Sequence, residues 1–348
     1  MKRILLIFYL FYSSVAYSQD DASMYQNLFV NVHGNYGFLT PHHKSIKYFV
    51  QQHVPGFQLE TGFQTFGNKA WHRHHKYPDI GFGFAHSGLG NDLVYGKANA
   101  VYSFIQTQIN RNPAPIRIKQ KFSFGLSYIT KKYNLRKNPY NLAISSNINV
   151  YLSYMFGLDV ALSDKLSAFT AFNFTHVSNG KVKEPNKGLN TITGSVGMSY
   201  RFQNREPADK SIPVENQLFD VTRWSVFYSV GWKQVSRRID GYFFATSLAL
   251  DYAFYVRPKA KMGIGLDFFY DSSVDEHKSF DYMELESKAE FFRSAVHFSY
   301  EFVVGRTSFI VQPGYYFFNP YNKYGYGVNR LGIRYRLTPW LSTNVAIK

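Results

Sequence analysis

Residues 190–202 read NTITGSVGMSYRF. Asn190, Ile192, Gly194, Val196, Met198, Tyr200 and Phe202 take the even positions, and Thr191, Thr193, Ser195, Gly197, Ser199 and Arg201 the odd ones. The even set is mostly apolar and the odd set polar. A period of two places the sets on opposite faces of a pleated strand, whereas a helix would mix them around its circumference.

The same alternation recurs along the chain. Val226, Tyr228, Val230 and Trp232 oppose Ser225, Ser229, Gly231 and Lys233. Leu248, Leu250, Tyr252 and Phe254 oppose Ser247, Ala249, Asp251 and Ala253, and Met262, Ile264, Leu266 and Phe268 oppose Lys261, Gly263, Gly265 and Asp267. Leu331, Ile333, Tyr335 and Leu337 oppose Arg330, Gly332, Arg334 and Arg336. Roughly fifteen such segments follow residue 28, punctuated by Gly, Asn, Asp and Pro, with no convincing amphipathic helix between them.

A secreted β-sandwich would alternate too. Three features favour a membrane barrel instead. The strands approach the length of about 9–11 residues that crosses a bilayer at a tilt. Their apolar faces are rich in Tyr and Phe, as aromatic girdles require, and their other faces carry Gly, Ser, Asn and charge, suited to a polar lumen. The expected fold is all-β, a transmembrane antiparallel β-barrel of the outer-membrane type.

Composition agrees. Aromatic residues make up 19% of the chain against 18% charged, which excludes a disordered polymer. The absence of cysteine removes disulfides, thiol nucleophiles and Cys-ligated zinc together. Beyond the first eighteen residues no uncharged apolar run nears the roughly 20 residues of a spanning helix. Those first residues have the layout of an export signal: Lys2 and Arg3, an apolar stretch Ile4 to Tyr12, then Ala16-Tyr17-Ser18 before Gln19. Residues 1–18 are therefore expected to be cleaved near Ser18, and the mature chain to reach the outer membrane.

Two irregularities bear on organisation. Residues 204–222 lack alternation and carry Pro and charge, so they are either a linker or a long loop. Residues 19–203 then form one barrel region, and 223–348 supply strands of the same barrel or a second one. The chain also stops at Ile347-Lys348 in mid-strand, so one or more closing strands are expected beyond it.

Most polar clusters read blandly. The run Trp71-His72-Arg73-His74-His75-Lys76 has no carboxylate or cysteine partner at ligand spacing, and is expected to be a solvated basic loop, as are His42 and His43. Glycines at 81, 83, 263 and 265 fall within strands and mark packing or bends. No phosphate-binding fingerprint leads from a strand into a helix. Neither metal nor organic cofactor is expected, nor a nucleic-acid partner.

The segment Lys165 to Ser178 differs. Leu166, Ala168, Thr170, Phe172, Phe174, His176 and Ser178 share its more apolar face, which on a barrel points to lipid. An ionisable group on such a face is a functional-site candidate. The connection before this strand, residues 162–165, is tight, and the one after it is long. Short turns are periplasmic and longer loops extracellular, so His176 and Ser178 are expected at outer-leaflet depth. Asn190 begins the next strand on the same face, and three polar side chains can converge there. A solvated pair at headgroup level is the alternative.

These residues resemble a known family. His176-Val177-Ser178-Asn179-Gly180, followed by Glu184-Pro185-Asn186-Lys187-Gly188-Leu189-Asn190, is similar to the His-x-Ser-Asn…Pro-Asn-x-Gly motif of the lipid A 3-O-deacylases of PagL type. The likeness is specific over residues 165–203, and the C-terminal half resembles the longer members labelled acyloxyacyl hydrolases. It implies an outer-membrane serine esterase acting on lipid A of lipopolysaccharide, with Ser178 as nucleophile and His176 as general base. Asn179, with Gly180 directly after it, is implied in the oxyanion hole. Asn190 stands where the family's classical members carry a glutamate, so it is the expected orienting residue, with Glu184 the alternative. Lys181, Lys183 and Lys187 in the intervening loop suit a phosphate-bearing substrate. The rival reading is a non-enzymatic barrel, porin-like or binding lipid A without cleaving it. Whether two copies pair as a homodimer is open.

Overall fold

In the computed structural model, residues 27–67, 69–110, 116–203, 223–236, 241–322 and 325–347 are described. Residues 1–18, expected to be an export signal, and the connection 204–222 lie outside them. Eight strands form the first half: β1 (Leu28–Leu39), β2 (Gly56–Gln64), β3 (Asp79–Gly88), β4 (Lys97–Gln108), β5 (Ile116–Ile129), β6 (Ile148–Ala161), β7 (Leu166–Ser178) and β8 (Leu189–Arg201). Each pairs antiparallel with the next, and β1 pairs with β8 from Phe29–Arg201 to Leu39–Thr191, closing the barrel. Closure leaves no strand edge in the hydrocarbon, where an unpaired peptide group costs several kcal/mol.

The alternation decides which side faces out. On β7, Phe172 is 73% exposed and Asn173 only 3%. Val196 on β8 is likewise exposed, while Ser195 is buried. The outside is an apolar band and the inside is a packed polar network. Glu60 pairs with Lys121, and it accepts from Tyr102 Oη at 2.8 Å and Asn31 Nδ2 at 2.9 Å. Asp159 pairs with Arg117 and accepts from Lys119 Nζ at 3.1 Å and Ser167 Oγ at 3.0 Å. Arg201 reaches Asp79 at 3.3 Å. Charges taken out of water are tolerated when paired and hydrogen-bonded in this way. A cavity beside Asn31, Glu60, Lys119 and Asp159 measures about 10 Å3, the room of roughly one water.

The second half is an open sheet of seven strands: β9 (Trp224–Lys233), β10 (Phe243–Arg257), β11 (Ala260–Asp271), β12 (Phe292–Val304), β13 (Thr307–Phe318), β14 (Gly327–Arg336) and β15 (Ser342–Ile347). They pair in chain order, with β9 and β15 at the edges. Here too one face is exposed and aromatic, with Trp224, Tyr228 and Trp232, and the other buries charge. His297 lies between Asp251, 2.9 Å from Nε2, and Asp267, 2.7 Å from Nδ1, with Arg330 on Asp267 at 2.6 Å.

Tight connections at 162–165, 258–259 and 305–306 gather at one end of the strands, and the loops 40–55, 130–147, 179–188 and 272–291 at the other. Among the described residues, three short α-helices sit in the connections: α1 (Lys44–Lys47), α2 (Ala70–His74) and α3 (Val274–Phe280). The segment Trp71–Lys76, expected to be a solvated loop, is largely α2 and is partly buried. His72 accepts the Gly67 N–H at 3.3 Å, and His75 Nε2 donates to the Val303 carbonyl at 2.7 Å, with its ring edge-on to Phe302. The sheet that covers α2 lies more than two hundred residues away in the chain, so local composition does not reveal the burial. Burial pulls the His72 imidazole down to about 3, and the nearby Lys69 charge pulls the same way. His75 is lowered as well, chiefly by burial.

Candidate active site

At the long-loop end of β7 and β8, the register sets His176 directly opposite Asn190. Both lie on the outward face, with Phe174 and Ile192 as their exposed neighbours two residues away. His176 Nδ1 is 2.6 Å from Asn190 Oδ1, and His176 Nε2 is 3.0 Å from Ser178 Oγ. The structure thus brings together the three side chains that the alternation placed on one face. Both imidazole nitrogens find a partner within the group, as a site bordering hydrocarbon requires.

Ser178 is buried, although Phe172 on the same face is open. The loop 179–188 folds over it. Gly188 has φ +71, and a Cβ there would lie 2.9 Å from His176 Cε1 and 3.4 Å from Ser178 Cβ. Only glycine supplies both the left-handed backbone and the room for the imidazole.

Neighbouring loops hold this cover in place. Asn141 is fully buried, and its Oδ1 accepts the N–H groups of Ala143 and Ile144. The resulting turn presents the Leu142 and Ala143 carbonyls to the N–H groups of Lys187 and Gly188. Ser145 Oγ donates to the Lys183 carbonyl at 2.7 Å. Asn179, expected at the oxyanion, sits in this same clamp. Its Nδ2 donates to Ser145 Oγ, Ser146 Oγ and the Lys183 carbonyl, and its backbone N–H to Asn186 Oδ1. Gly180 follows at φ +64, against Ile347 of β15.

The hydrogen bonds of Glu184 go to groups other than the imidazole. Its Oε2 accepts the Asn186 N–H at 3.1 Å, and its own N–H donates to Gln234 Oε1 at 3.1 Å. Burial raises its carboxyl above the ordinary value, against the opposing pull of that N–H and of Lys181 and Lys187. Lys187 Nζ lies 2.8 Å from His43 Nε2 and 3.2 Å from Ser45 Oγ.

One participant escaped the sequence reading. His42, expected to be solvated, is exposed yet bonded at both nitrogens. Nδ1 is 3.1 Å from Asn190 Nδ2, and Nε2 is 2.6 Å from the Lys187 carbonyl. The closing β1–β8 pairing brings it there across 148 residues of chain.

A family profile described as Lipid A 3-O-deacylase (PagL) matches residues 56–199, and one described as Acyloxyacyl hydrolase, C-terminal domain, matches residues 222–348. The chain belongs to the PagL lipid A 3-O-deacylase family. In this PagL-family protein the first match runs from β2 nearly to the end of β8 and holds His176, Ser178 and Asn190, and the second takes in β9–β15. His42 lies outside both.

No curated protein matches the chain. Among solved structures it is similar to Neisserial surface protein A at 8% identity, covering 50% of this chain and 97% of that one, with a TM-score of 0.35. The N-terminal β-barrel domain of Pseudomonas aeruginosa OprF follows at 11% identity, with 50% and 98% covered and a TM-score of 0.30. Ail of Yersinia pestis is 13% identical, with 51% and 99% covered and a TM-score of 0.29.

Proposed function

We propose that this outer-membrane barrel is a serine esterase that removes an ester-linked acyl chain from lipid A. The observation that carries the reading is the 3.0 Å contact between His176 Nε2 and Ser178 Oγ on the outward face of the barrel. A hydroxyl there can meet an acyl chain that never leaves the lipid leaflet. With the long loops extracellular, the depth is that of the outer leaflet.

Ser178 Oγ attacks the ester carbonyl carbon while His176 Nε2 takes its proton. The tetrahedral intermediate then expels the sugar oxygen, which recovers the proton from His176. Water, deprotonated by the same nitrogen, cleaves the acyl-enzyme to a free fatty acid and restores the hydroxyl. His176 Nδ1–H donates a hydrogen bond to Asn190 Oδ1 throughout, which keeps Nε2 as the base. The backbone N–H of Gly180 supplies a donor to the oxyanion, and Asn179 holds that backbone from behind through Ser145, Ser146 and Lys183. The lysines of the loop favour an anionic headgroup.

The lumen speaks against the pore reading. Conduction needs an open polar path, and the networks around Glu60 and Asp159 fill the interior of the closed barrel.

A fluorophosphonate probe tests the mechanism. It should add covalently to the peptide bearing Ser178 in the folded protein, and fail to add in Ser178→Ala or His176→Ala. Labelling of another serine, or undiminished labelling in His176→Ala, would contradict the assignment.

A further inference from the structure

An asparagine orienting a catalytic histidine poses a difficulty that a carboxylate does not. A carboxylate presents an acceptor at either end. An amide turned by 180° presents its NH2 to the imidazole instead, which then protonates Nε2 and loses its base. Something must hold Asn190 the right way round.

The surroundings of Asn190 contain such a group. The Lys187 carbonyl can only accept, so His42 Nε2, 2.6 Å away, carries the hydrogen. His42 Nδ1 is then a lone pair, and faces Asn190 Nδ2 at 3.1 Å as an acceptor. Asn190 therefore turns Oδ1 to His176 Nδ1 at 2.6 Å, His176 carries its hydrogen there, and Nε2 is bare toward Ser178 at 3.0 Å. A single backbone carbonyl thus settles every proton in the row. The segment bearing His42 is itself tied to Asn190, since both the N–H and the Oγ1 of Thr40 donate to the Asn190 carbonyl.

We propose that His42 is a positioning residue of this site, holding the Asn190 amide so that His176 remains a base toward Ser178. This rests on the esterase reading above. It also gives a physical reason why this chain can work with an amide where the family's classical members use a carboxylate.

The test uses the full-length protein in detergent micelles with purified lipopolysaccharide. His42→Ala should lower kcat about tenfold and leave KM unchanged, because the residue acts on the base and not on substrate binding. In an Asn190→Asp background the carboxylate has no wrong end, so adding His42→Ala should cost less than twofold. Equal losses in both backgrounds, or wild-type kcat in His42→Ala, would overturn the proposal. A second measurement is independent of turnover: 15N spectra of the imidazoles should show His176 Nε2 unprotonated in the wild type and partly protonated in His42→Ala. Unchanged His176 nitrogens would also overturn it. Ser178→Ala separates the two readings. If that variant turns over normally, the esterase itself is wrong. If it is dead while His42→Ala is unaffected, only the role of His42 falls.

Discussion

His176 and Asn190 face each other directly across the β7–β8 ladder, fourteen residues apart in the chain, with Nδ1 and Oδ1 2.6 Å apart. A directly opposed pair is the closest approach two strands offer to their side chains, and it fixes the imidazole more firmly than a loop residue could. Asn190→Ala should therefore reduce kcat by roughly 10- to 100-fold, well short of the loss in Ser178→Ala, since Asn190 takes no proton itself. Asn190→Glu should hold or raise activity by supporting the imidazolium with a full charge. Steady-state release of fatty acid from lipopolysaccharide measures both.

Glu184→Gln separates the two candidates for the orienting role. Glutamine keeps an oxygen for the Asn186 N–H and removes a charge that burial disfavours. The raised carboxyl means that the folded chain binds a proton more readily than the unfolded one. The cost of ionising it is thus absent at low pH and fully present above its folded value. At pH 8 Glu184→Gln should then match the wild type in activity and melt no lower. Abolished turnover would make Glu184, and not Asn190, the residue that orients His176.

Gly188→Ala probes the cover over Ser178. The added methyl meets His176 Cε1 at 2.9 Å, in a backbone conformation alanine resists. Displacing the imidazole by a fraction of an ångström should cost on the order of 10²-fold in kcat while heat-modifiable gel migration stays normal. Unchanged kcat would mean the loop does not constrain the histidine.

The packing of the buried histidines at α2 should be acid-sensitive. His72 is held down to about 3 by burial, and His75 is lowered too, so both are neutral in the folded protein where an unfolded histidine would protonate. Their contribution to stability is complete above about pH 6.5 and falls as the pH drops below it. Thermal unfolding at pH 5 should begin lower than at pH 7.5, and His72→Gln should narrow that gap. A gap of the same size in the variant would refute this cause.

Much of this was legible in the chain. Period two placed Phe172 and Val196 outside and Asn173 and Ser195 inside, and the same parity put His176, Ser178 and Asn190 on one face. What parity does not give is which strand closes on which. Leu39 meets Thr191 only because β1 closes on β8, and that pairing alone delivers His42 to Asn190. Parity also ends where the strand ends. Asn179, one residue past β7, takes its orientation from Ser145 and Ser146 on another loop. His75 reads as solvated in the sequence because its cover, Phe302 and Val303 of β12, is remote in the chain.

The lipid-facing assignment can be checked residue by residue. Cysteines at 171 and 173 should be shielded in the packed lumen, while those at 172 and 174 should react with a membrane-soluble maleimide and resist a water-soluble one. Water-soluble labelling at 172 and 174 with 171 and 173 protected is expected only if the faces are reversed.

The most direct measurement is mass spectrometry of lipid A from outer membranes of cells expressing the wild type, Ser178→Ala, His176→Ala and the double variant. The wild type should yield lipid A lighter by one ester-linked acyl chain. Each single variant should leave lipid A intact, and the double should be no worse than either, because the two residues act as a unit. Loss of the same acyl chain in cells carrying Ser178→Ala would contradict the account.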